Sequence, residues 1–254
     1  MTGAADWQGR VGANWAREWQ RTDRTLAGVN PMLAARAAAV QPHHVLDIGC
    51  GAGATAVAVA DLCAAAAVLG IDLSAELIAA ADARGHPRCG FRVADATRWE
   101  DPACRPDLLI SRHGVMFFDD PVAAFTQLRT AAMAGARLIF SCFRDRTENP
   151  WATVTADAVG APPPGAGTGP GPFAFADRTR VAALLAAAGW HGIGFEAVTW
   201  DYVAGAGPDP VADAVAFFSR IGPAAATIAR LDPPARAAAV AALHAVLTEH
   251  RADG

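Results

Sequence analysis

The 254-residue sequence contains no lysine, since all 21 of its basic residues are arginine. A chain without lysine cannot form a lysine Schiff base, and it lacks the phosphate-binding lysine of a P-loop. Its five cysteines include no C-x-x-C pair, and this scatter indicates free thiols in a reducing compartment. No group of residues in the sequence predicts a metal site.

Long apolar runs and an excess of basic residues are also missing. No stretch approaches the roughly 20 uninterrupted apolar residues of a membrane span. The N-terminal segment "MTGAADWQGRVGANWAREWQ" is polar and charged, unlike a secretory signal. The net charge of −4 disfavours a general nucleic-acid binder, which usually presents a basic face. We therefore expect a cytoplasmic protein that binds neither membranes nor nucleic acids.

What the sequence does contain is an alternation of short apolar runs and helical stretches from residue 44 onward. Such continuous apolar runs are typical of parallel strands that are covered on both faces. Strands are predicted at about 44–48, 67–71, 91–95, 107–112, 136–143 and 192–203. Helices are predicted at about 53–64, 74–83, 121–134, 177–188, 209–221 and 233–250. The fold class is therefore α/β, with a doubly wound, mostly parallel sheet and right-handed crossovers.

The N-terminal residues predict helices and no strand. Trp15, Trp19 and Leu26 follow one another at spacings of four and seven, which places them on one face of a helix. The Asn-Pro pair at 30–31 suits the start of a second helix, which is expected to reach residue 40. We therefore expect residues 1–40 to form a helical N-terminal lid.

The composition changes again after residue 143. The segment "GAPPPGAGTGPGPFAFAD" is so rich in proline and glycine that no regular element is predicted there. A long loop in a compact domain is more often a lid or a binding loop than a defect. We therefore expect residues 41–254 to form one α/β domain with a loop or lid insertion at 145–176.

The segment "HVLDIGCGAGATAVAVA" has the layout of a strand, a tight turn and a helix. Gly49, Gly51 and Gly53 read G-x-G-x-G, so the dinucleotide fingerprint G-x-G-x-x-G is not met. Absent Cβ atoms let a ligand approach the backbone at the N-terminus of the helix. Asp47 at the end of the first strand would repel a pyrophosphate and suits a ligand that carries positive charge. This disfavours an NAD(P)-dependent oxidoreductase, the least favoured of the hypotheses.

Two further carboxylates follow strand ends. Asp72 ends the second strand, where it can accept hydrogen bonds from both hydroxyls of a ribose. Capping of the next helix is its alternative role, which Ser74 already fills. Asp95 ends the third strand, where it can accept the exocyclic amine of an adenine while Ala96 offers its backbone N–H. A turn-forming aspartate is the alternative interpretation.

The stretch "DLLISRHGVMFFDDP" places Ser111, Arg112 and His113 at the end of the fourth strand. Ligands in such sheets bind outside the carboxyl ends of the strands, so these side chains are expected to point into the site. "VLDIGCGAG", "GIDLS", "VADA" and "LRTAAMAGARLIF" together resemble motifs of class I S-adenosylmethionine-dependent methyltransferases. The similarity covers about residues 40–145 and is to the branch of ubiquinone/menaquinone-type and small-molecule methyltransferases.

The resemblance implies a Rossmann-like fold and a site for S-adenosylmethionine, with S-adenosylhomocysteine as the product. It implies that Asp47 lies near the cationic methionine moiety, that Asp72 holds the ribose and that Asp95 holds the adenine amine. The other cofactor-binding residues that it implies are Trp15, Gly49, Cys50, Gly51, Leu73, Ala96, Ser111 and Arg112. Trp15 is expected to close over the cofactor together with Arg17. The family usually has a seventh, antiparallel strand, which is not evident after residue 233.

The resemblance implies methyl transfer to a small-molecule acceptor whose identity and acceptor atom the sequence leaves open. His113 is the candidate general base, because the pKa of histidine lies near working pH; the alternative is a structural histidine beside the cofactor. Trp151, Phe173 and Phe175 would line a substrate pocket for an apolar or aromatic compound, or else serve as core residues. A protein that binds the cofactor but catalyses a non-methylation step is the second hypothesis. A homodimer is kept open.

Overall fold

The computed structural model describes residue 7 and residues 9–103, 105–163 and 169–251. Five strands form one sheet: β1 His44–Ile48, β2 Ala67–Asp72, β3 Cys89–Val93, β4 Leu108–Arg112 and β5 Arg137–Ser141. All pairings are parallel and the order is β3-β2-β1-β4-β5. The chain reverses its direction of progress across the sheet between β1 and β4, so this fold has its ligand crevice at the carboxyl ends of those strands.

Eleven α-helices occur among the described residues. They are α1 Arg10–Arg17, α2 Trp19–Thr25, α3 Asn30–Val40, α4 Ala54–Leu62, α5 Ala75–Asp82, α6 Pro121–Ala131, α7 Pro150–Ala158, α8 Arg178–Ala187, α9 Pro210–Phe218, α10 Pro223–Ile228 and α11 Pro233–Glu249. The helices predicted beside the sheet form within a few residues of their expected bounds. The predicted doubly wound α/β fold is thereby confirmed. No described helix has both the length and the apolar character needed to cross a membrane.

Alternate residues of the strands bury against opposite cores, as the period of two requires. Val45, Leu108 and Ile110 pack with the alanine-rich faces of α3 and α4. Leu46 and Leu109 point the other way, into a core that includes buried side chains of α6 and α8. Both faces of the sheet are therefore covered, which explains why the strands read as continuous apolar runs.

The predicted sixth strand does not form. Residues 191–205 are irregular, and β5 is an edge of the sheet that the structure describes. The segment packs instead against the N-terminal helices. The indole N–H of Trp200 donates to the carbonyl of Thr25 at 2.8 Å, and the guanidinium of Arg24 donates to the carbonyls of Val203 and Ala204. Arg24 thus occupies two carbonyls that a sheet ladder would use, and Trp200 packs on α2.

Three further differences from the predictions concern the N-terminal helices, the loop at 145–176 and the third strand. The single amphipathic helix predicted for the N-terminus is two helices, which meet at Glu18. The predicted loop at 145–176 contains α7, which starts with Pro150 at its first position. The predicted strand 91–95 lies two residues earlier, so Asp95 stands beyond β3 rather than at its last residue.

The N-terminal cap, defined as α1 and α2, is tied to the C-terminal helices by ion pairs. Asp213 of α9 accepts from the guanidinium groups of Arg21 and Arg24, both at 2.6 Å. Glu18, which is buried, pairs with Arg21 at 2.6 Å and with Arg220 at 2.9 Å. The C-terminal helices have a core of their own around Phe217. The cap therefore bridges the sheet and this helical layer.

Candidate functional site

One cavity of about 1290 Å³ lies at the carboxyl ends of β1, β2 and β4. Its floor is the loop between β1 and α4, and the N-terminal cap forms one wall. Cap residues that line it are Val11, Asn14, Trp15, Trp19, Thr22, Asp23 and Thr25. Side chains of α7, the loop before α8 and the segment 219–231 complete the opposite end. The cavity is large enough for a cofactor and a second small molecule together.

The glycine loop turns sharply because three glycines adopt backbone conformations that other residues avoid. Gly49, Gly51 and Gly53 have φ values of +63°, +54° and +80°. A Cβ on Gly49 would lie 3.0 Å from the Cα of Gly114, so this position is also closed by packing. A Cβ on Gly51 would meet nothing within 4 Å, because Gly51 borders the cavity. The backbone at Gly51 is thus open to a ligand.

Asp47 lies in β1, is fully buried and borders the cavity. Neither of its carboxylate oxygens has a hydrogen-bond partner of normal geometry among the described residues. Burial raises the pKa of Asp47 to about 7; the Asp72 carboxylate also raises it, while the Arg112 charge and the Ala56 amide lower it. A buried carboxylate without a partner is costly, so this position is prepared for a cationic ligand group.

Asp72 ends β2 and fixes the glycine loop. Its Oδ2 accepts the backbone N–H of Gly51 and its Oδ1 accepts that of Ser74, both at 2.9 Å. Burial raises the pKa of Asp72, and the same backbone donors lower it. Ser74 caps α5 through its own hydroxyl, as the sequence predicted. Leu73, the neighbouring residue, also lines the cavity.

Cys50 contributes its backbone and not its thiol to the loop. Its side chain is buried and its Sγ would lie 2.9 Å from a Cβ on Gly70, so the sulfur points back towards β2. The Cys50 thiol donates to the carbonyl of Gly51 at 3.6 Å. Burial and the negative charges of Asp47 and Asp72 raise the pKa of this thiol well above its usual range. The thiol therefore stays protonated and is not a nucleophile.

Asp95 forms a turn, which was the alternative role predicted for it. Its Oδ1 accepts the backbone N–H of Thr97 at 2.9 Å and the Thr97 hydroxyl at 2.7 Å, and this caps a short 3₁₀ turn at Ala96–Arg98. Asp95 and Ala96 nevertheless both line the cavity. The capping role and a contact with a ligand are compatible, because capping uses one of the two carboxylate oxygens.

Ser111 does not line the cavity, contrary to the prediction that it points into the site. It is fully buried beneath the crevice and its hydroxyl donates to the carbonyl of Ile48 at 2.7 Å. The same oxygen accepts the backbone N–H of Gly114 at 3.2 Å. Ser111 thus fastens the end of β4 to the end of β1, a supporting role that follows from the alternating direction of strand side chains.

Arg112 does line the cavity, and it is paired with the N-terminal cap. Its Nη2 donates to Oδ1 of Asp23 at 2.7 Å, while its Nη1 is buried without a partner among the described residues. Arg84, which follows α5, contacts the other oxygen of Asp23 and the carbonyl of Ala52. The Arg84 guanidinium also lies over the ring of Trp19, 4.8 Å from its centroid. Asp23 therefore latches the cap over the glycine loop.

The sequence interpretation missed Asp23, which lines the cavity, and Arg84, which pairs with it. They lie 61 positions apart, outside the glycine loop and the strand-end residues. A charged residue on a predicted amphipathic helix gives no signal by itself, because most such charges face solvent. Of the two cap residues predicted to close over the cofactor, Trp15 lines the cavity beside Trp7, whereas Arg17 is exposed and does not.

His113 borders the cavity in a left-handed backbone conformation, with φ of +63°. Its Nδ1 lies 3.0 Å from the Ser141 hydroxyl, and its ring packs 4.3 Å from that of Phe143. The Nε2 atom is buried and has no partner among the described residues. Burial, and to a smaller extent the charge of Arg112, lowers the pKa of His113 to about 3. The imidazole is therefore neutral at physiological pH.

The far end of the cavity is aromatic. Phe143, Trp151, Phe173 and Tyr202 line it, and the Trp151 ring stacks on that of Tyr202 at 5.0 Å and 8°. Phe175, predicted with Trp151 and Phe173 as a pocket residue, does not line the cavity; it is buried against Phe125 and Phe140. One of the three predicted aromatic residues therefore belongs to the hydrophobic core and not to the cavity.

Buried polar atoms without a hydrogen-bond partner concentrate around this cavity. Within the part of the chain that the structure describes there are eight, and seven belong to residues that line the cavity. They are Trp7 Nε1, Thr22 Oγ1, both carboxylate oxygens of Asp47, Arg112 Nη1, His113 Nε2 and Trp151 Nε1. Buried polar groups are usually paired, so this concentration indicates a site that a bound ligand completes.

The comparisons with known proteins find similarity to methyltransferases. Residues 45–135 match the family model described as "Methyltransferase domain". Trans-aconitate 2-methyltransferase of Klebsiella pneumoniae (strain 342) is 34% identical over 96 residues, which cover 38% of this chain and 37% of the relative. The enzyme of the same name from Methylobacterium radiotolerans is 29% identical over 124 residues, covering 49% and 44%. The chain thus spans less than half the length of these curated relatives.

Similar solved structures include the DhpI–SAH complex, which is 24% identical, has a TM-score of 0.46 and covers 54% of this chain and 69% of that chain. The CcbJ methyltransferase from Streptomyces caelestis is 18% identical with a TM-score of 0.41, covering 49% and 51%. The family match has the most specific bearing on the site. The matched residues 45–135 hold the glycine loop and β2 to β4.

Proposed function

We propose that the protein transfers a methyl group from S-adenosylmethionine to a small-molecule acceptor. The observation that carries the proposal is Asp47, a fully buried carboxylate without a hydrogen-bond partner of normal geometry among the described residues, beside a glycine loop whose backbone is open at Gly51. A pyrophosphate would place like charges together at this point, whereas a cationic nucleoside would relieve the unpaired charge. The methyltransferase-domain match over residues 45–135 supports the same ligand.

The residues around the glycine loop fit this cofactor group by group. Asp47 would face the cationic methionine moiety, and the unpaired Nη1 of Arg112 would take its carboxylate. Asp72, already held by backbone donors, would accept the ribose hydroxyls, with Leu73 beside it. Asp95 and Ala96 would hold the adenine. When bound, S-adenosylmethionine supplies an electrophilic methyl group, so the protein mainly aligns the acceptor and excludes water.

His113 enters the proposal as a hydrogen-bonding residue and not as a general base. A group whose pKa is about 3 is a weak base at neutral pH. Its Nδ1 is oriented by the Ser141 hydroxyl, which leaves Nε2 facing the cavity as a neutral hydrogen-bonding atom. The acceptor would therefore be a group that is nucleophilic without a strong protein base.

We also propose the class of substrate and leave the branch of methyltransferases broad. Both curated relatives carry the name of trans-aconitate, a carboxylate substrate, whereas the sequence motifs resemble the ubiquinone/menaquinone-type branch. A small-molecule acceptor is compatible with both similarities. The residues 1–40 and 145–176 would act as lids of one domain that spans 41–254. A cytoplasmic location is consistent with the four described cysteines, all of which are free thiols.

Calorimetry tests the cofactor assignment. S-adenosylmethionine and S-adenosylhomocysteine should bind and NAD should not; tight NAD binding would contradict the proposal. Asp72→Ala should reduce S-adenosylhomocysteine affinity by tenfold or more, whereas Asp107→Ala, at the opposite end of the sheet, should leave it unchanged. During turnover of a substrate, S-adenosylhomocysteine should accumulate in step with product. Turnover without it would favour a non-methylation reaction.

A further inference from the structure

The aromatic end of the cavity contains buried polar nitrogens that have no hydrogen-bond partner among the described residues. The indole Nε1 of Trp151 is buried without a partner, and so is Nε2 of His113. Both rings pack against Phe143, with centroid distances of 5.1 Å for Trp151 and 4.3 Å for His113. An indole nitrogen can only donate, so whatever occupies this end of the cavity must offer it an acceptor atom.

The rings around these nitrogens favour a planar occupant. Trp151 lies 5.9 Å from Phe173 with the planes inclined by 26°, and it stacks almost parallel on Tyr202. Phe143, Phe173 and Tyr202 all line the cavity with Trp151. Aromatic walls bind flat apolar compounds through large contact areas and offset or edge-to-face stacking. A compound that fills this end would thus bury a ring and one polar atom.

The two polar rings at this end of the cavity are uncharged. His113 is neutral because its pKa is low, and burial raises the pKa of the Tyr202 hydroxyl so that it also stays neutral. A carboxylate buried among such groups would lack a counter-charge, which is unfavourable. Among the described residues, three cations line this part of the cavity: Arg146, whose guanidinium donates to the carbonyl of Ala152 in the same helix as Trp151, Arg220, which pairs with Glu18, and Arg230. An anionic substrate would have to use one of these arginines.

We infer that the methyl acceptor is a planar aromatic compound whose uncharged oxygen acceptor is bound by the indole N–H of Trp151, with Nε2 of His113 as its second polar contact. This inference deepens the proposed function and rests on it. It differs from what the names of the curated relatives suggest, because trans-aconitate is an anion without an aromatic ring. Trp151 is thereby assigned as a specificity-determining residue.

The test compares three ligands of similar shape in the presence of saturating S-adenosylhomocysteine. 2-Acetylnaphthalene offers a carbonyl acceptor, 2-isopropenylnaphthalene replaces that oxygen by a CH₂ group, and 2-naphthoate is an anion. Calorimetry should show that the ketone binds about tenfold more tightly than the alkene, since the alkene leaves a buried donor unpaired. The ketone should also bind more tightly than the naphthoate.

Trp151→Phe keeps a ring and removes the donor, so it should reduce the ketone's advantage over the alkene to less than about threefold. Trp99→Phe is the matched control, because the Trp99 indole is also buried and unpaired but does not line the cavity. That variant should keep the full preference. Circular dichroism would verify that both variants are folded.

The outcomes separate the inference from the function on which it rests. Tightest binding of 2-naphthoate, an unchanged preference in Trp151→Phe, or no binding of the ketone to a protein that binds S-adenosylhomocysteine would overturn the inference and leave the cofactor assignment intact. Failure to bind S-adenosylhomocysteine would overturn the proposed function itself.

Discussion

Asp47 and His113 face one cavity, and burial shifts their proton affinities in opposite directions. Burial holds a proton on the Asp47 carboxyl up to a pKa of about 7, and it removes the proton from His113 down to a pKa of about 3. Both residues are therefore close to neutral in the ligand-free protein at slightly acid pH. A cationic ligand changes this balance at Asp47 alone, because it favours the ionised carboxylate.

Asp47→Asn should stabilise the ligand-free protein at pH 8 and weaken its ligand binding. The folded-state pKa of Asp47 lies above the unfolded value of 3.8, so its ionisation destabilises the fold progressively as pH rises from about 4 to 7. The gain should be on the order of 2–4 kcal/mol at pH 8 and absent below pH 4. Urea unfolding measures it. Asp107→Asn is the control, because Asp107 accepts the backbone N–H groups of His43 and His44 and its loss should only destabilise.

His113→Gln should reduce the loss of unfolding free energy as the pH falls below about 6.5. The folded-state pKa of about 3 lies below the unfolded value of 6.5, so the wild-type protein loses stability as pH falls from about 6.5 towards 3. The variant lacks this loss, and its unfolding free energy should change less between pH 7 and pH 5. Nitrogen NMR shifts of the wild-type imidazole should show a neutral ring down to pH 5; a titration near pH 6.5 would restore the general-base hypothesis.

At the scale of elements, two glycines with similar backbone conformations show which one is needed for ligand access. Gly51 and Gly160 both have positive φ values, +54° and +62°, and a Cβ at either position would meet nothing within 4 Å. Only Gly51 borders the cavity. Substitution should therefore strain the backbone similarly at both positions, but only at Gly51 would a side chain enter the cavity.

Gly51→Ala and Gly160→Ala should each cost about 1 kcal/mol of stability, because alanine is strained at positive φ. Only Gly51→Ala should weaken S-adenosylhomocysteine binding, by tenfold or more, since its methyl group enters the space beside the backbone. Thermal unfolding and calorimetry on the same samples give both numbers. Equal effects of the two variants on binding would show that ligand access at Gly51 is not limiting.

The sequence predicted elements well wherever the local pattern and the tertiary partner agree. The strands β1, β2, β4 and β5 pack on both faces, so their apolar runs reflect their environment directly. Residues 192–203 alternate like a strand, but Trp200 and the carbonyls of Val203 and Ala204 are held by α2, a partner that no local pattern announces. The latch from Asp23 to Arg84 and Arg112 is hidden for the same reason, because it depends on long-range placement.

At the scale of the whole molecule, the N-terminal cap is tied at both ends. Asp23 joins it to the sheet through Arg84 and Arg112, and Glu18 and Asp213 join it to the C-terminal helices. The Arg112 side chain is 8% exposed, so it depends on Asp23 for its charge partner. The two sets of pairs hold the roof of the cavity between two separate cores.

Asp23→Asn should loosen this roof. The variant leaves the Arg112 guanidinium buried without its carboxylate, which should cost about 2–4 kcal/mol of stability. Dissociation of S-adenosylhomocysteine, followed by stopped-flow fluorescence, should accelerate tenfold or more. Glu196→Gln, which removes the exposed pair with Arg36, should alter stability by less than about 1 kcal/mol and leave dissociation unchanged. An unaltered dissociation rate in Asp23→Asn would mean that the cap does not control ligand exit.

Because α1 and α2 form one wall of the cavity that contains both the glycine loop and the aromatic end, opening of this wall would release both ligands. Under the proposed function, methylated product and spent cofactor would then leave during the same opening, and that opening would set the turnover rate. The kinetic signature is a burst of product in the first turnover, followed by a slower steady rate. A trideuterated methyl donor should leave that steady rate unchanged, since bond transfer would not be the slow step.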